Sequence, residues 1–98
     1  MMKIFTAKKM SEVFTHPKMP ALDMSDDKGF RVVFPARFRK GPLSGHMLVV
    51  VHDHGDIVWE ELCYRLTSEL SNMARELNMD AVSLIRNIEW NPSSIATP

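Results

Sequence analysis

Three histidines and two aspartates crowd one short stretch, His46, His52, Asp53, His54 and Asp56, and they are the chain's strongest hint of chemistry. The histidines are all even-numbered, so on an unbroken strand they share one face. Two imidazoles a strand repeat apart can reach a single zinc ion. The remainder of such a site is missing: Cys63 sits on the next element, and no group can be named to orient the rings. His52-Asp53-His54-Gly55 is also a good hydrophilic turn that needs no metal. His52 and His54 are therefore the metal candidates, set behind a reading with no metal and no cofactor.

Covalent catalysis finds less. Cys63 falls beside Trp59 and Leu66 on the apolar side of a helix, where a thiol serves as a small core residue. Glu60-Glu61 and Asp26-Asp27 are sequence neighbours that point apart on a helix or turn, which makes them poor acid–base pairs. No Gly-rich phosphate loop and no nucleophile elbow occurs. The chain reads as a non-enzyme.

A second constellation is basic. Arg31, Arg37, Arg39 and Lys40 line one strand and its end, and they are the candidate contacts to a macromolecular partner. Charge is segregated along the chain: residues 1–40 carry +5 and residues 41–98 carry −5, for a net charge of zero. A zero balance argues against a general nucleic-acid binder, so nucleic acid is the less favoured partner. Two opposed faces could instead meet a larger protein, or a second copy in a homodimer. An arginine-guarded edge strand equally resists sheet-to-sheet aggregation.

These groups need elements to hold them. Leu62, Cys63, Leu66, Leu70, Met73, Ala74 and Leu77 recur at intervals of three and four with Trp59, which predicts a helix over 57–77. Asp56 suits its start, and Asn78 its end, since Asn tolerates a left-handed backbone. Phe30, Val32, Phe34, Ala36 and Phe38 alternate with Arg31, Val33, Arg37 and Arg39, which predicts a strand with one wet side. Pro35 makes it an edge strand or bulges it. Residues 40–45 hold the glycines and proline of a reversal, and 46–52 follow as an interior strand apolar on both faces. The pair is expected to be a hairpin whose phenylalanine face turns inward. Leu48 and Val50 are left on the other face, where a partner, a second subunit or the short N-terminal helix would cover them.

Near the N-terminus, residues 3–6 suit a short strand. Thr6 is expected to cap a brief helix through Phe14, with Met10, Val13 and Phe14 inward. Prolines at 17 and 20 and the turn at 25–29 make 15–28 a surface connection. After Asn78 the strand reading, with Val82, Leu84, Ile88 and Trp90 on one face, is preferred to a helix capped by Asp80 with Met79 stapled to Leu84.

Two stretches resemble nucleic-acid motifs. Met73 to Leu84 looks like part of a helix-turn-helix, with Ala74 at the crossing, Asn78 at the turn and Leu84 anchoring a recognition helix. Arg86 is the only cation between Asp80 and Glu89, so phosphate attraction would be weak. Lys28 to Phe34 resembles the aromatic strand of RNA-recognition motifs, yet Arg31 and Val32 stand where a small residue and a stacking aromatic belong.

The whole reads as an α+β, two-layer fold in which a small antiparallel β-sheet of three to four strands packs on one long α-helix. Residues 1–92 are taken as one domain and 93–98 as a flexible tail. The lone cysteine and the lack of an apolar run of membrane length place it in the cytoplasm. The expected function is a small non-enzymatic protein-interaction module, inhibitor- or adaptor-like, of the kind phages and mobile elements use against host machinery. A helix-turn-helix regulator using residues 70–90 and a metal protein using His52 and His54 are the alternatives.

Overall fold

The structure is a computed structural model that describes residues 2–19, 30–53 and 59–91. The expected connection over 20–28, the Asp56 cap, His54 and the tail at 93–98 lie outside them. Strand β1 (Met2–Ala7) leads into helix α1 (Met10–Thr15), then β2 (Phe30–Phe38), β3 (Met47–Asp53), helix α2 (Trp59–Glu76), helix α3 (Ala81–Arg86) and β4 (Ile88–Trp90). The four strands form one antiparallel sheet in the order β1-β3-β2-β4. This is an α+β fold, with the hairpin of β2 and β3 at its centre.

Strand β3 is apolar on both faces because both are covered. Leu48, Val49, Val50 and Val51 are all fully buried. Leu48 and Val50 join Met2, Ile4, Ala36 and Phe38 against Leu62, Leu66, Leu70 and Ala74 of α2. Val49 and Val51 join Phe5, Ala7 and Val13 on the opposite face, under α1. The expectation that Leu48 and Val50 face away from the long helix is thus reversed. Burying the three leucines of α2 contributes roughly 5–9 kcal/mol at 1.5–3 each.

The reversal has a cause in β2. Val33 pairs with Val50 and Ala36 with Leu48, so Phe34 and Pro35 together stand opposite the single residue Val49. The extra residue is a β-bulge, placed where proline has no N–H to give a ladder. It swaps the faces. Phe30, Val32 and Phe34 lie on the α1 side, whereas Ala36 and Phe38 lie under α2. The expectation that Phe30 to Phe38 present one continuous inward face is therefore corrected.

Helix α2 ends as its sequence asks. Asn78 has φ 54°, Met79 N–H donates to the Ala74 carbonyl at 2.9 Å and Asn78 N–H to the Arg75 carbonyl at 3.1 Å. These two bonds make a Schellman cap, and half-buried Met79 then packs on the same core as Leu84. Beyond it the preferred strand reading fails over residues 82–86. The Asp80 carboxylate accepts from Ser83 N–H at 3.3 Å and starts α3, which buries Leu84 while leaving Val82 and Ile85 exposed. Only residues 88–90 are strand, paired with Ala36–Phe38.

Two smaller expectations are also corrected. Helix α1 has Lys9, not Thr6, at its N-cap, and of Met10, Val13 and Phe14 only Val13 is buried. The Glu12 carboxylate reaches back to accept from Lys8 N–H at 2.9 Å. The chain after α1 is held to the sheet by His16, which stacks on Phe5 with ring centroids 4.1 Å apart. Its Nδ1 accepts from Lys18 N–H at 3.0 Å, and burial, then the Lys18 charge, lower its pKa. Cys63 is exposed and not a core residue.

In the β2–β3 turn, Gly41 has φ 85° and Gly45 has φ 82°. A Cβ on Gly41 would stand 2.6 Å from the Asn87 amide nitrogen, whereas one on Gly45 would meet open space. Asn87 is buried, and its carbonyl accepts from Arg39 N–H at 2.8 Å. Both Gly→Ala changes meet left-handed strain of about 1 kcal/mol, and G41A must also displace Asn87. Urea unfolding should show G41A the more destabilised by at least about 1 kcal/mol. Equal midpoints would refute the contact.

Candidate interaction surface

Strand β2 carries Arg31 and Arg37, with Arg39 and Lys40 just past its end, and its bulge decides where the two strand arginines go. Arg31 alternates with Phe30 and Val32, so it shares the α2 side with Val33. Arg37 comes after the bulge and lies on the opposite side, flanked in register by Met47 of β3 and Glu89 of β4. Arg39 follows on that same side, its Nε 3.3 Å from the Glu89 carboxylate. All three arginines and Lys40 are exposed. The structure thus splits the expected row: Arg37, Arg39 and Lys40 stay together, and Arg31 is separated from them.

The group of three has apolar company. Half-buried Phe34 and Met47 share their side, and Trp90, 45% exposed at the end of β4 and in register with Ala36, borders the same edge from the α2 side. With Arg37, Glu89 and Asn91 they line a shallow cleft of roughly 390 Å³. Two observations hold this rim in shape. Asn91 N–H donates to the Pro35 carbonyl at 2.8 Å, and β4 pairs with β2 over three residues. Arg39 and Glu89 are both half exposed or more, so their ion pair adds little stability and leaves a positive excess. Tryptophan, arginine, methionine and phenylalanine around an open cleft are the residue types that carry binding energy at protein interfaces.

Of the expected histidines, His46 and His52 lie among the described residues and His54 does not. His46 lies outside β3, its Nδ1 3.1 Å from the Leu43 carbonyl, and His52 is buried on the strand in register with Met2 and Arg31. Among the described residues, no three His, Cys, Asp or Glu side chains come together as a metal would need. Cys63 and Tyr64 face solvent on the outer side of α2. Among the described residues, no helix is long and apolar enough to cross a membrane.

Sequence reasoning placed Phe34 and Met47 on inward faces, where they do pack on the α1-side core, and missed that both also line a cleft with exposed Trp90. The signal was present in Pro35, whose bulge turns Phe34 away from α2, and in Asn91-Pro92, which ends β4 just after its tryptophan. No protein-family model, curated protein or solved structure matches the chain.

Proposed function

We propose that the chain is a non-enzymatic protein-interaction module, inhibitor- or adaptor-like, that docks a larger protein on the rim formed by β2 and β4. The observation that carries this reading is a cleft lined by exposed Trp90 and Arg37, with exposed Arg39 and Lys40 following in the chain. The partner surface it fits is apolar at its centre and acidic at its margin. Docking at Arg37 and Trp90 needs little rearrangement, since both stand on the paired strands β2 and β4.

The regulator reading is weaker on the same geometry. A recognition helix enters a groove by projecting from its domain, but α3 has six residues, buries Leu84 in the core and runs straight into β4.

The test is affinity for a partner recovered from the source cells, measured by calorimetry at two salt concentrations. Reversing both Arg37→Glu and Arg39→Glu should weaken binding at least tenfold and flatten its salt dependence, with little change in melting temperature. Trp90→Ala should cost about 2 kcal/mol of binding on its own. Affinity indifferent to both the reversal and salt would refute the rim.

A further inference from the structure

The two long edges of the sheet are finished differently. Phe38 N–H donates to the His46 carbonyl at 2.9 Å and Gly45 N–H to the Phe38 carbonyl at 2.9 Å, so the Phe38 backbone faces β3. By alternation Leu48, Val50 and His52 bond toward β2, and Met47, Val49 and Val51 toward β1. The backbone groups left pointing outward on β1 are therefore those of Met2, Ile4 and Thr6. Two of these carbonyls are capped by cations. The Arg65 guanidinium donates to Met2 at 2.8 Å, and the Lys18 ammonium donates to Ile4 at 3.3 Å. That edge is closed to a further strand.

Among the described residues, nothing closes the other edge in this way. Arg31 and Val33 pair inward with His52 and Val50, so the N–H and C=O groups of Phe30 and Val32 point outward. Strand β4 covers only Ala36–Phe38, and among the described residues no strand lies along Phe30 to Val33. The side chains beside this open ladder are sorted by face. Half-buried Phe30 and Val32 lie on the α1 side, and exposed Arg31 on the α2 side.

We infer that the edge of β2 at Phe30–Val33 takes an extended segment of the partner as a fifth strand, one in which acidic and apolar residues alternate. This rests on the protein-interaction reading above and names the partner's contact. A strand added there exchanges backbone bonds with Phe30 and Val32. Its apolar side chains lie alongside Phe30 and Val32, and its carboxylates lie alongside Arg31, because a strand's side chains alternate between faces. A second copy of this chain fits worse. Antiparallel self-pairing through the same groups puts Arg31 opposite, or diagonal to, its own counterpart.

The probe is a capped peptide of about eight residues alternating valine and glutamate, with a valine–lysine peptide as its control. Both are titrated into the full chain and followed by amide NMR. The expected result is binding of the glutamate peptide at least tenfold tighter, with slowed exchange of the Phe30 and Val32 amides and not of Arg31. Val32→Pro deletes an outward N–H that the chain's own ladder does not use, and should abolish this binding. Arg31→Glu should reverse the preference to the lysine peptide, which keeps the test decisive if the proline variant fails to fold. Equal binding of both peptides overturns the inference. So does protection of Phe30 and Val32 by self-association of the free chain. A recovered partner that binds Val32→Pro normally but loses affinity on reversal of Arg37 and Arg39 overturns strand addition and leaves the rim standing. A partner lost with Val32→Pro but indifferent to that reversal does the opposite.

Discussion

Leu66→Asp should leave the chain without a thermal unfolding transition at 25 °C and above. Leu66 is in the middle of the stripe by which α2 covers the sheet, between Leu62 and Leu70, and faces Ile4, Leu48 and Val50 among other apolar residues. Leu66 is 6% exposed among apolar residues, so an aspartate there is either ionised in apolar surroundings or protonated, at a cost either way. Losing the leucine already removes about 2–5 kcal/mol as a cavity, and the buried carboxyl adds several more. A domain of this length has roughly 5–10 kcal/mol to lose. Circular dichroism during a melt reads the result directly. Aspartate at the exposed neighbour Cys63 is the control and should melt almost as the parent does. A folded Leu66→Asp variant would mean that α2 covers the sheet with another face.

The second large effect separates two phenylalanines that look alike in the sequence. Phe38→Ala should cost about 3–5 kcal/mol, whereas Phe34→Ala should cost less than about half of that. Phe38 is 1% exposed and enclosed between β3 and α2. Phe34 is half buried on the other side of the sheet and borders the open cleft. Chemical denaturation of both variants gives the two values. Near-equal losses would place both rings in one core, and so deny the bulge its role.

Helix α2 was legible because Leu62, Leu66, Leu70 and Ala74 repeat every four residues, and its end was legible because Asn78 takes the backbone angle few other residues accept. Cys63 was misread for a geometric reason. Each step of four residues overshoots a full turn by about 40°, so the buried stripe winds round the helix. At the level of Cys63 that stripe still lies about 100° away, although farther along it passes over the same angle. The hairpin was legible from its glycines and its alternation. The faces of β2 were not, because alternation assumes that every residue advances the ladder, and at Phe34-Pro35 two residues advance it by one. The stretch after Asn78 was divided between helix and strand by Asn87, and a local pattern gave no way to locate that change. Arg37, Arg39 and Lys40 were singled out from charge alone. The separation of Arg37 and Arg39 from Arg31 depends on the bulge, and the pairing of Arg37 with Glu89 depends on β4, which comes from some fifty residues later.

Strand β1 leaves the ribosome before β3 and α2, and most of what steadies it is made later than itself. Its ladder partner begins at Met47, and the guanidinium that seals its outer carbonyl belongs to residue 65. Until then a nascent chain carries Ile4 without the leucines of α2, and Phe5 with only His16 and α1 beside it. Contacts so distant in sequence slow folding and lengthen the time during which such segments are sticky. The order of synthesis therefore sets a waiting period: the residues of β1 stay available to chaperones or to misassociation until α2 has emerged.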